Sequence, residues 1–445
     1  MEPLQTNKKT SLNNFLILAI SLLLIGILFG LIGALQYAIP GFLRNYFSFE
    51  KVRPLHVSSI VFWILLSAIG IVLVSIQEYF NRNIYSKKLL QIQFYLFFLS
   101  IIAIIVSYFL GIFGGKEYWE FPPFISLFII IAWILFLINF IKTIKNLKDK
   151  PVFIWMWLTG ILFFLFTFLE SYLWLIPYFK NNIVNDMTIQ WKANGSMVGS
   201  WNMLIYGSSI YLLDKISGDE KNSHSKMAYA LYFLGLFNLL FNWGHHIYTL
   251  PTHDYIKHVS YFVSMTELLI LGKIIYSWKE SLSTAKKHIH IISYRFLFAA
   301  DVWIFLNLSL AILMSIPVIN VFTHGTHITV AHVMGTTIGI NSFLLFALYF
   351  EILKEKISTT TKNLRIIKTG FWLSNISLAI FWVVLIVMGI LKTKWQMNND
   401  LIVFGDLMKQ LRPLYYIFFI AGLSLSIGIV LISIPLLKSL IKRKQ

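Results

Sequence analysis

Four histidines lie near the ends of three long apolar segments, where their side chains can meet at one depth. His56 begins one segment, His245 and His246 close a second, and His332 lies near the start of a third. At 1.5 Å per residue, all four fall within about 10 to 15 Å of the same edge of an apolar layer. Ionisable groups in such a layer are costly and usually functional, so the cluster predicts metal or haem ligation.

The spacing of these residues separates two kinds of site. His245 and His246 are adjacent, so in an α-helix their side chains diverge by about 100° and both can reach one ion between them. His332 and Met334 are two residues apart and point to opposite sides of a helix, about 200° apart. They cannot share a metal, but they suit two haems that flank one helix. The chain has no cysteine, which excludes thiolate ligands and thioether haem attachment.

Membrane helices are the elements that must position these residues. The chain is 58% hydrophobic and 13% charged, with a mean hydropathy of +0.73, which leaves too little polar surface for a water-soluble globule. Apolar runs of about 20 residues, each long enough to cross a bilayer, recur along the chain. They predict a single all-α integral membrane domain over 1–445 with twelve spans: 14–38, 54–77, 89–113, 122–141, 152–178, 193–213, 227–250, 256–278, 292–317, 326–352, 366–391 and 413–437.

The net charge of +18 is explained by topology and not by nucleic-acid binding. With residues at span ends counted in the adjoining loop, 25 of the 37 Lys and Arg residues lie at the two termini and in every second loop, 11 lie in the other loops, and Lys273 lies inside span 8. The positive-inside rule then predicts that both termini are cytoplasmic. His224, His288 and His290 fall in cytoplasmic loops, where we expect solvated side chains.

The motifs around these residues resemble those of nitric oxide reductase catalytic subunits and C-type haem-copper oxidases over nearly the whole chain. The resemblance implies the fold of haem-copper oxidase subunit I. The motifs agree in order: Leu35-Gln36-Tyr37 through Pro40, Arg53-Pro54-Leu55-His56, Gly115-Lys116-Glu117-Tyr118-Trp119-Glu120, Trp243-Gly244-His245-His246, Thr323-His324-Gly325-Thr326-His327 and Val330-Ala331-His332.

The resemblance implies two b-type haems and a second metal. By analogy, His56 ligates a low-spin haem, His332 ligates a high-spin haem, and His245 with His246 binds non-haem iron or copper. Glu117 matches a glutamate that helps to bind calcium near the haem propionates. Glu267, in span 8, matches a buried glutamate near the active site.

Span 6 departs from the reductase pattern at the remaining metal ligands. When Gly199 and Trp201 are matched to the family's Gly and Trp, Asn194 replaces a ligating His, Val198 replaces a ligating Glu, and Asn202 replaces a second Glu. Asn194 still offers a carbonyl oxygen, but a neutral oxygen binds iron or copper more weakly than imidazole or carboxylate does. We therefore expect Asn194 to be a weak third ligand at the catalytic site.

Met334 departs from the family at the low-spin haem, where the reductases have a second His. Ligation by Met334 would give a His/Met haem, which has a higher reduction potential than a bis-His haem. The alternative is a methionine that fills space beside a porphyrin edge.

A high-spin haem that faces a second metal forms a pocket for a diatomic gas. C-type oxidases carry a tyrosine six residues before the paired histidines, and this chain has Leu239 there. Reduction of nitric oxide to nitrous oxide is therefore the leading prediction, with Glu267 as a proton relay. The alternatives are chemistry like that of nitric oxide dismutases, which also have Asn at position 194, a terminal oxidase, and a non-catalytic protein that binds gas. A reductase would need a cytochrome c-type donor subunit and would reside in the bacterial cytoplasmic membrane.

Overall fold

The structure is a computed structural model that describes residues 10–266, 290–357, 360–398 and 402–442. The described residues form helices joined by short loops. The helices are α1 (Thr10–Ala38), α2 (Phe49–Phe80), α3 (Lys87–Phe109), α4 (Ser126–Ile144), α5 (Val152–Glu170), α6 (Pro177–Lys180), α7 (Ile183–Ser217), α8 (Lys226–Phe241), α9 (254–266), α10 (Ile291–Ser315), α11 (Pro317–Thr323), α12 (His327–Met334), α13 (Phe343–Ile352), α14 (Thr361–Met397) and α15 (Phe404–Ile441).

Ten helical stretches in the described part of the chain are long and apolar enough to cross a membrane. They coincide with predicted spans 1–5, 7 and 9–12. Helix α7 covers span 6 but is less apolar, because it carries Asp186, Lys192, Asn194 and Asn202. Span 8 continues beyond residue 266, where the description stops. The total of twelve spans and the cytoplasmic termini therefore stay predictions.

Helix α2 lies at the centre of the bundle and is buried along most of its length. The Trp63 ring stacks on Tyr349 of α13, with centroids 5.7 Å apart. The hydroxyl oxygens of Ser67 and Tyr349 are 3.0 Å apart, and Tyr349 donates to the Leu16 carbonyl of α1. These contacts join the first, second and tenth predicted spans around one core.

Two segments next to the predicted ligands depart from the α-helix that the sequence predicts. Residues Asn242–Ile247 form a 3₁₀ helix, in which successive side chains diverge by about 120° and not 100°. Ile256 and Ser260 of α9 approach Gly244 so closely that a Cβ there would lie 3.0 Å from either side chain. Residues Gly335–Ser342 form a π-helix between α12 and α13, and such wide turns are frequent at functional sites.

His290 is not the solvated side chain that its loop position predicts. Its side chain is only 13% exposed, and its Nδ1 lies 2.8 Å from the Glu351 carboxylate. Glu351 at the end of α13 is buried, and a buried carboxylate needs a partner. The sequence of the loop gives no sign that His290 is that partner. His224 is 44% exposed, as predicted, and His288 lies outside the described residues.

Candidate haem and metal site

His245 and His246 lie side by side in the 3₁₀ segment, with ring centroids 4.2 Å apart. The Nδ1 of His245 lies 3.1 Å from the Asn242 side-chain oxygen, to which Ser264 of α9 also donates. Because that oxygen can only accept, the His245 ring donates from Nδ1 and keeps Nε2 free for a metal. Asn242 was not identified from the sequence, although it lies one turn before His245.

Helix α7 packs directly against this segment through two glycines. A Cβ at Gly195 would lie 2.9 Å from the Cβ of Trp243, and one at Gly199 would lie 3.1 Å from the Cβ of Leu239. Small residues four apart allow helices to approach this closely. Asn194 directly precedes Gly195 on this part of α7. It is 3% exposed, and its amide nitrogen has no hydrogen-bond partner within the described chain.

Two aromatic neighbours of His246 were not predicted as site residues, although His324 belongs to one of the motifs. Trp191, one turn before Asn194, stacks on His246 with centroids 5.0 Å apart and an angle of 13°. His324 lies with its ring centroid 5.6 Å from Trp191 and 6.2 Å from His246. An ion pair between Lys192 and Glu170 of α5 holds this end of α7. Trp191, His246 and His324 thus form a compact triangle of rings.

The other two departures of α7 from the reductase pattern have neutral surroundings. Val198 packs against the main apolar core. Asn202 accepts a 3.1 Å hydrogen bond from Asn341 in the π-helical segment.

His332 lies on α12, shortly before the π-helical segment. Its Nδ1 is buried and has no hydrogen-bond partner among the described residues, and its carbonyl accepts a hydrogen bond from Thr336. Helix α10 supports this segment, because Asn307 donates to Thr336. His332 is close enough to His245 and His246 to interact electrostatically with both. The structure therefore brings these three predicted ligands together.

His56 lies apart from that group, between α2 and α1. Its Nδ1 is 2.7 Å from the Gly26 carbonyl, so the ring donates from Nδ1 and leaves Nε2 free. A Cβ at Gly30 would lie 2.8 Å from His56 Nδ1. The groove that holds the ring thus depends on glycine in α1.

Met334 also lies beside α1, in a second and smaller apolar cluster. It packs against a cluster of buried residues that includes Ala38 of α1 and residues of α14 and α15. The apolar surroundings are compatible with a thioether ligand and also with a packing role. Ligation by Met334 stays a prediction.

Arg53 and two glutamates form an ion-pair cluster at the histidine end of the bundle. The Arg53 guanidinium lies 2.5 Å from Glu117 and 2.9 Å from Glu120. Burial raises the pKa of Glu120 while Arg53 lowers it, with a net rise. Burial, assisted by Glu117, raises the pKa of Tyr118 to about 12. The predicted calcium ligand Glu117 thus already has a cationic partner.

The histidines have the free nitrogens that haem and metal ligation require. His56 and His245 each use Nδ1 for an oxygen acceptor, which is the arrangement that orients ligating imidazoles. Among the described residues, however, no three His, Cys, Asp or Glu side chains are arranged so that they could bind one metal ion together. Glu267, the predicted proton relay, lies outside the described residues.

Comparison with known proteins identifies the family. The model of the family "Cytochrome C and Quinol oxidase polypeptide I" matches residues 12–424. A nitric oxide reductase subunit of Stutzerimonas stutzeri is 23% identical over 94% of this chain and 92% of its own length. The cbb3-type cytochrome c oxidase subunit CcoN1 of the same organism is 23% identical over 85% of this chain and 82% of its own.

A solved structure has the same fold. A haem-copper terminal oxidase dimer studied by cryo-electron microscopy superposes with a TM-score of 0.78, covering 99% of this chain and 85% of the oxidase chain at 16% identity. The family match spans most of the residues that carry the motifs, and the helical architecture agrees with it. The chain therefore belongs to the cytochrome c and quinol oxidase polypeptide I family, the subunit I proteins of the haem-copper oxidases.

Proposed function

We propose that this chain reduces nitric oxide to nitrous oxide in a bacterial cytoplasmic membrane. Two nitric oxide molecules take up two electrons and two protons, one N–N bond forms, one N–O bond breaks, and nitrous oxide and water leave. The observation that carries the proposal is Leu239, an apolar side chain at the position where the related oxidases carry a tyrosine. Nitric oxide reduction needs no phenol at that position.

The proposed cofactors follow from the histidines. His56 and Met334 would hold a low-spin b-type haem, which would supply electron transfer, and His332 would hold a high-spin b-type haem. Iron or copper would bind His245 and His246, with Asn194 as a weak third ligand. The high-spin haem and this metal would supply the redox chemistry of gas reduction. Calcium at Glu117 and a proton relay at Glu267 belong to the same proposal.

The chain's own residues would shape the gas pocket. Trp191 supplies an apolar wall against His246, and Leu239 and Val198 add apolar side chains on the packed faces of α8 and α7. Apolar surroundings favour an uncharged diatomic ligand over water. Electrons would come from a cytochrome c-type donor subunit, and both termini would face the cytoplasm.

Nitric oxide dismutase-like chemistry is the second candidate, and Asn194 is the observation that favours it. In that reaction two nitric oxides give dinitrogen and dioxygen with no net electron input. The buried and unpartnered Asn194 amide would then replace an imidazole at the metal.

Gas uptake by the purified, reduced protein tests the proposal. We expect nitric oxide to be consumed faster than dioxygen under the same electron supply. The variant His245→Ala/His246→Ala should lose this uptake but keep both haem spectra, since neither residue ligates haem. Faster dioxygen uptake would instead make the chain a terminal oxidase, and no uptake of either gas would leave a gas-binding protein.

A further inference from the structure

We propose that His324 is a third imidazole ligand of the non-haem metal and supplies the imidazole that α7 lacks at Asn194. The inference rests on the proposed presence of a metal at the histidine pair. His324 begins the loop that joins α11 to α12, far in sequence from both α7 and the pair.

The ring distances fit shared coordination. With a metal–nitrogen bond of about 2.1 Å, the centre of a ligating imidazole lies about 3.2 Å from the ion, so two such rings are at most about 6.4 Å apart. His245 and His246 are 4.2 Å apart, and His246 and His324 are 6.2 Å apart. Both pairs satisfy the limit.

His324 also has a nitrogen available for the metal. Its Nε2 is buried and has no hydrogen-bond partner in the described part of the chain. A buried polar atom of this kind costs free energy unless it finds a partner. A metal ion bound to this nitrogen would supply the missing partner.

A hydrogen bond fixes the segment that carries His324 against the pair. The Asn320 amide of α11 donates to the His245 carbonyl at 3.1 Å and to the Met314 carbonyl at 2.9 Å. The His324 backbone amide in turn donates to the Asn320 carbonyl. Asn320 thus acts as a positioning residue that ties His324 to the 3₁₀ segment. Among the described residues, no three His, Cys, Asp or Glu side chains are placed so that they could all bind one metal ion. Binding of the ion by all three histidines therefore requires the His324 ring to rotate.

The inference predicts how many imidazoles bind the metal. The full-length purified protein is loaded with copper(II), washed with chelator and measured by X-ray absorption at the copper edge. We expect three imidazoles in the unmodified protein and two in His324→Ala. Copper retention after chelation should fall roughly 10- to 100-fold in that variant. His258→Ala, which removes an exposed histidine of α9, is the matched control and should retain three.

A double variant distinguishes ligation from a structural role. Asn194→His/His324→Ala should recover three imidazoles and chelator-resistant copper, because the family's own ligand position is restored. Any of three results would overturn the inference. They are only two copper-bound imidazoles in the unmodified protein, the same number of bound imidazoles in His324→Ala as in the unmodified protein, and no gain of a third imidazole in the double variant. Haem spectra check folding in each case. If three imidazoles bind the metal but nitric oxide is not turned over, the proposed function is wrong and the role of His324 stands. If nitric oxide is turned over but only two imidazoles bind the metal, the role of His324 is wrong and the proposed function stands.

Discussion

At the level of single residues, two of the predicted ligand histidines use one ring nitrogen for a hydrogen bond to the protein and leave the other for a metal or haem. His56 and His245 each donate from Nδ1 to an oxygen, of Gly26 and Asn242 respectively. The sequence identifies such histidines because ionisable groups in apolar segments are rare and costly. It does not identify their partners or His324 as a neighbour of His246, because these contacts join segments distant in the chain.

The first residue-level prediction concerns His56. His56→Ala should remove the low-spin haem spectrum and leave the high-spin spectrum intact, because His332 lies in a separate group of side chains. Pyridine haemochrome analysis should give two haems per chain in the unmodified protein and one in the variant. One haem or none in the unmodified protein would contradict the two-haem assignment.

The second concerns the ligand opposite His56. Met334→His should lower the reduction potential of the low-spin haem, by on the order of 0.1 V, because imidazole stabilises ferric haem better than a thioether does. Spectroelectrochemical titration measures the potential. The thioether-to-iron charge-transfer band should vanish in the variant. If the potential is unchanged, Met334 is a packing residue.

The third depends on the groove in α1. Gly30→Ala would place a Cβ 2.8 Å from His56 Nδ1, which forces the ring to move and costs about 1–3 kcal/mol. We expect partial loss of the low-spin haem, measured from its absorption per protein. Gly405→Ala is the control, because no atom lies within 4 Å of a Cβ at that position. Equal haem content in both variants would argue against this groove.

At the level of elements, the site is built where helices depart from α geometry. The periodic apolar pattern predicts the spans but not the 3₁₀ turn at Asn242–Ile247 or the π-helix at Gly335–Ser342. These departures arise from tertiary contacts. Trp303 and Asn307 of α10 would lie 2.5 Å and 2.2 Å from Cβ atoms at Gly339 and Gly335. A pattern within one segment carries no information about such an approach.

The fourth prediction belongs to helix α7. Asn194→His/Val198→Glu should raise chelator-resistant non-haem iron toward one per chain, because a carboxylate favours iron and an imidazole strengthens the site. Asn194→His/Val198→Gln is the matched control, which keeps the side-chain size but not the charge. Elemental analysis after chelation measures the gain. Stoichiometric iron in the unmodified protein would contradict this prediction, because the site would then hold iron without a carboxylate at position 198.

At the level of the whole molecule, the sequence predicted the class of protein and most of its spans. Ten predicted spans are helices long and apolar enough to cross a membrane, because hydropathy acts over 20 residues and tolerates local irregularity. Span 6 was predicted from a shorter apolar core than the 35-residue α7. The difference arises because α7 extends through polar residues that ion pairs hold, such as Asp186 with Lys116. The activity depends on a few substitutions at one wall of the site, so overall similarity to the family does not decide it.

The products formed from isotopically labelled nitric oxide test the central claim most directly. The purified protein is given ¹⁵N-labelled nitric oxide with and without an electron donor, and the gases are analysed by mass spectrometry. Nitric oxide reduction predicts one labelled nitrous oxide per two electrons, formed only with donor. Labelled dinitrogen with dioxygen, formed at the same rate without donor, would contradict the reductase and establish dismutation.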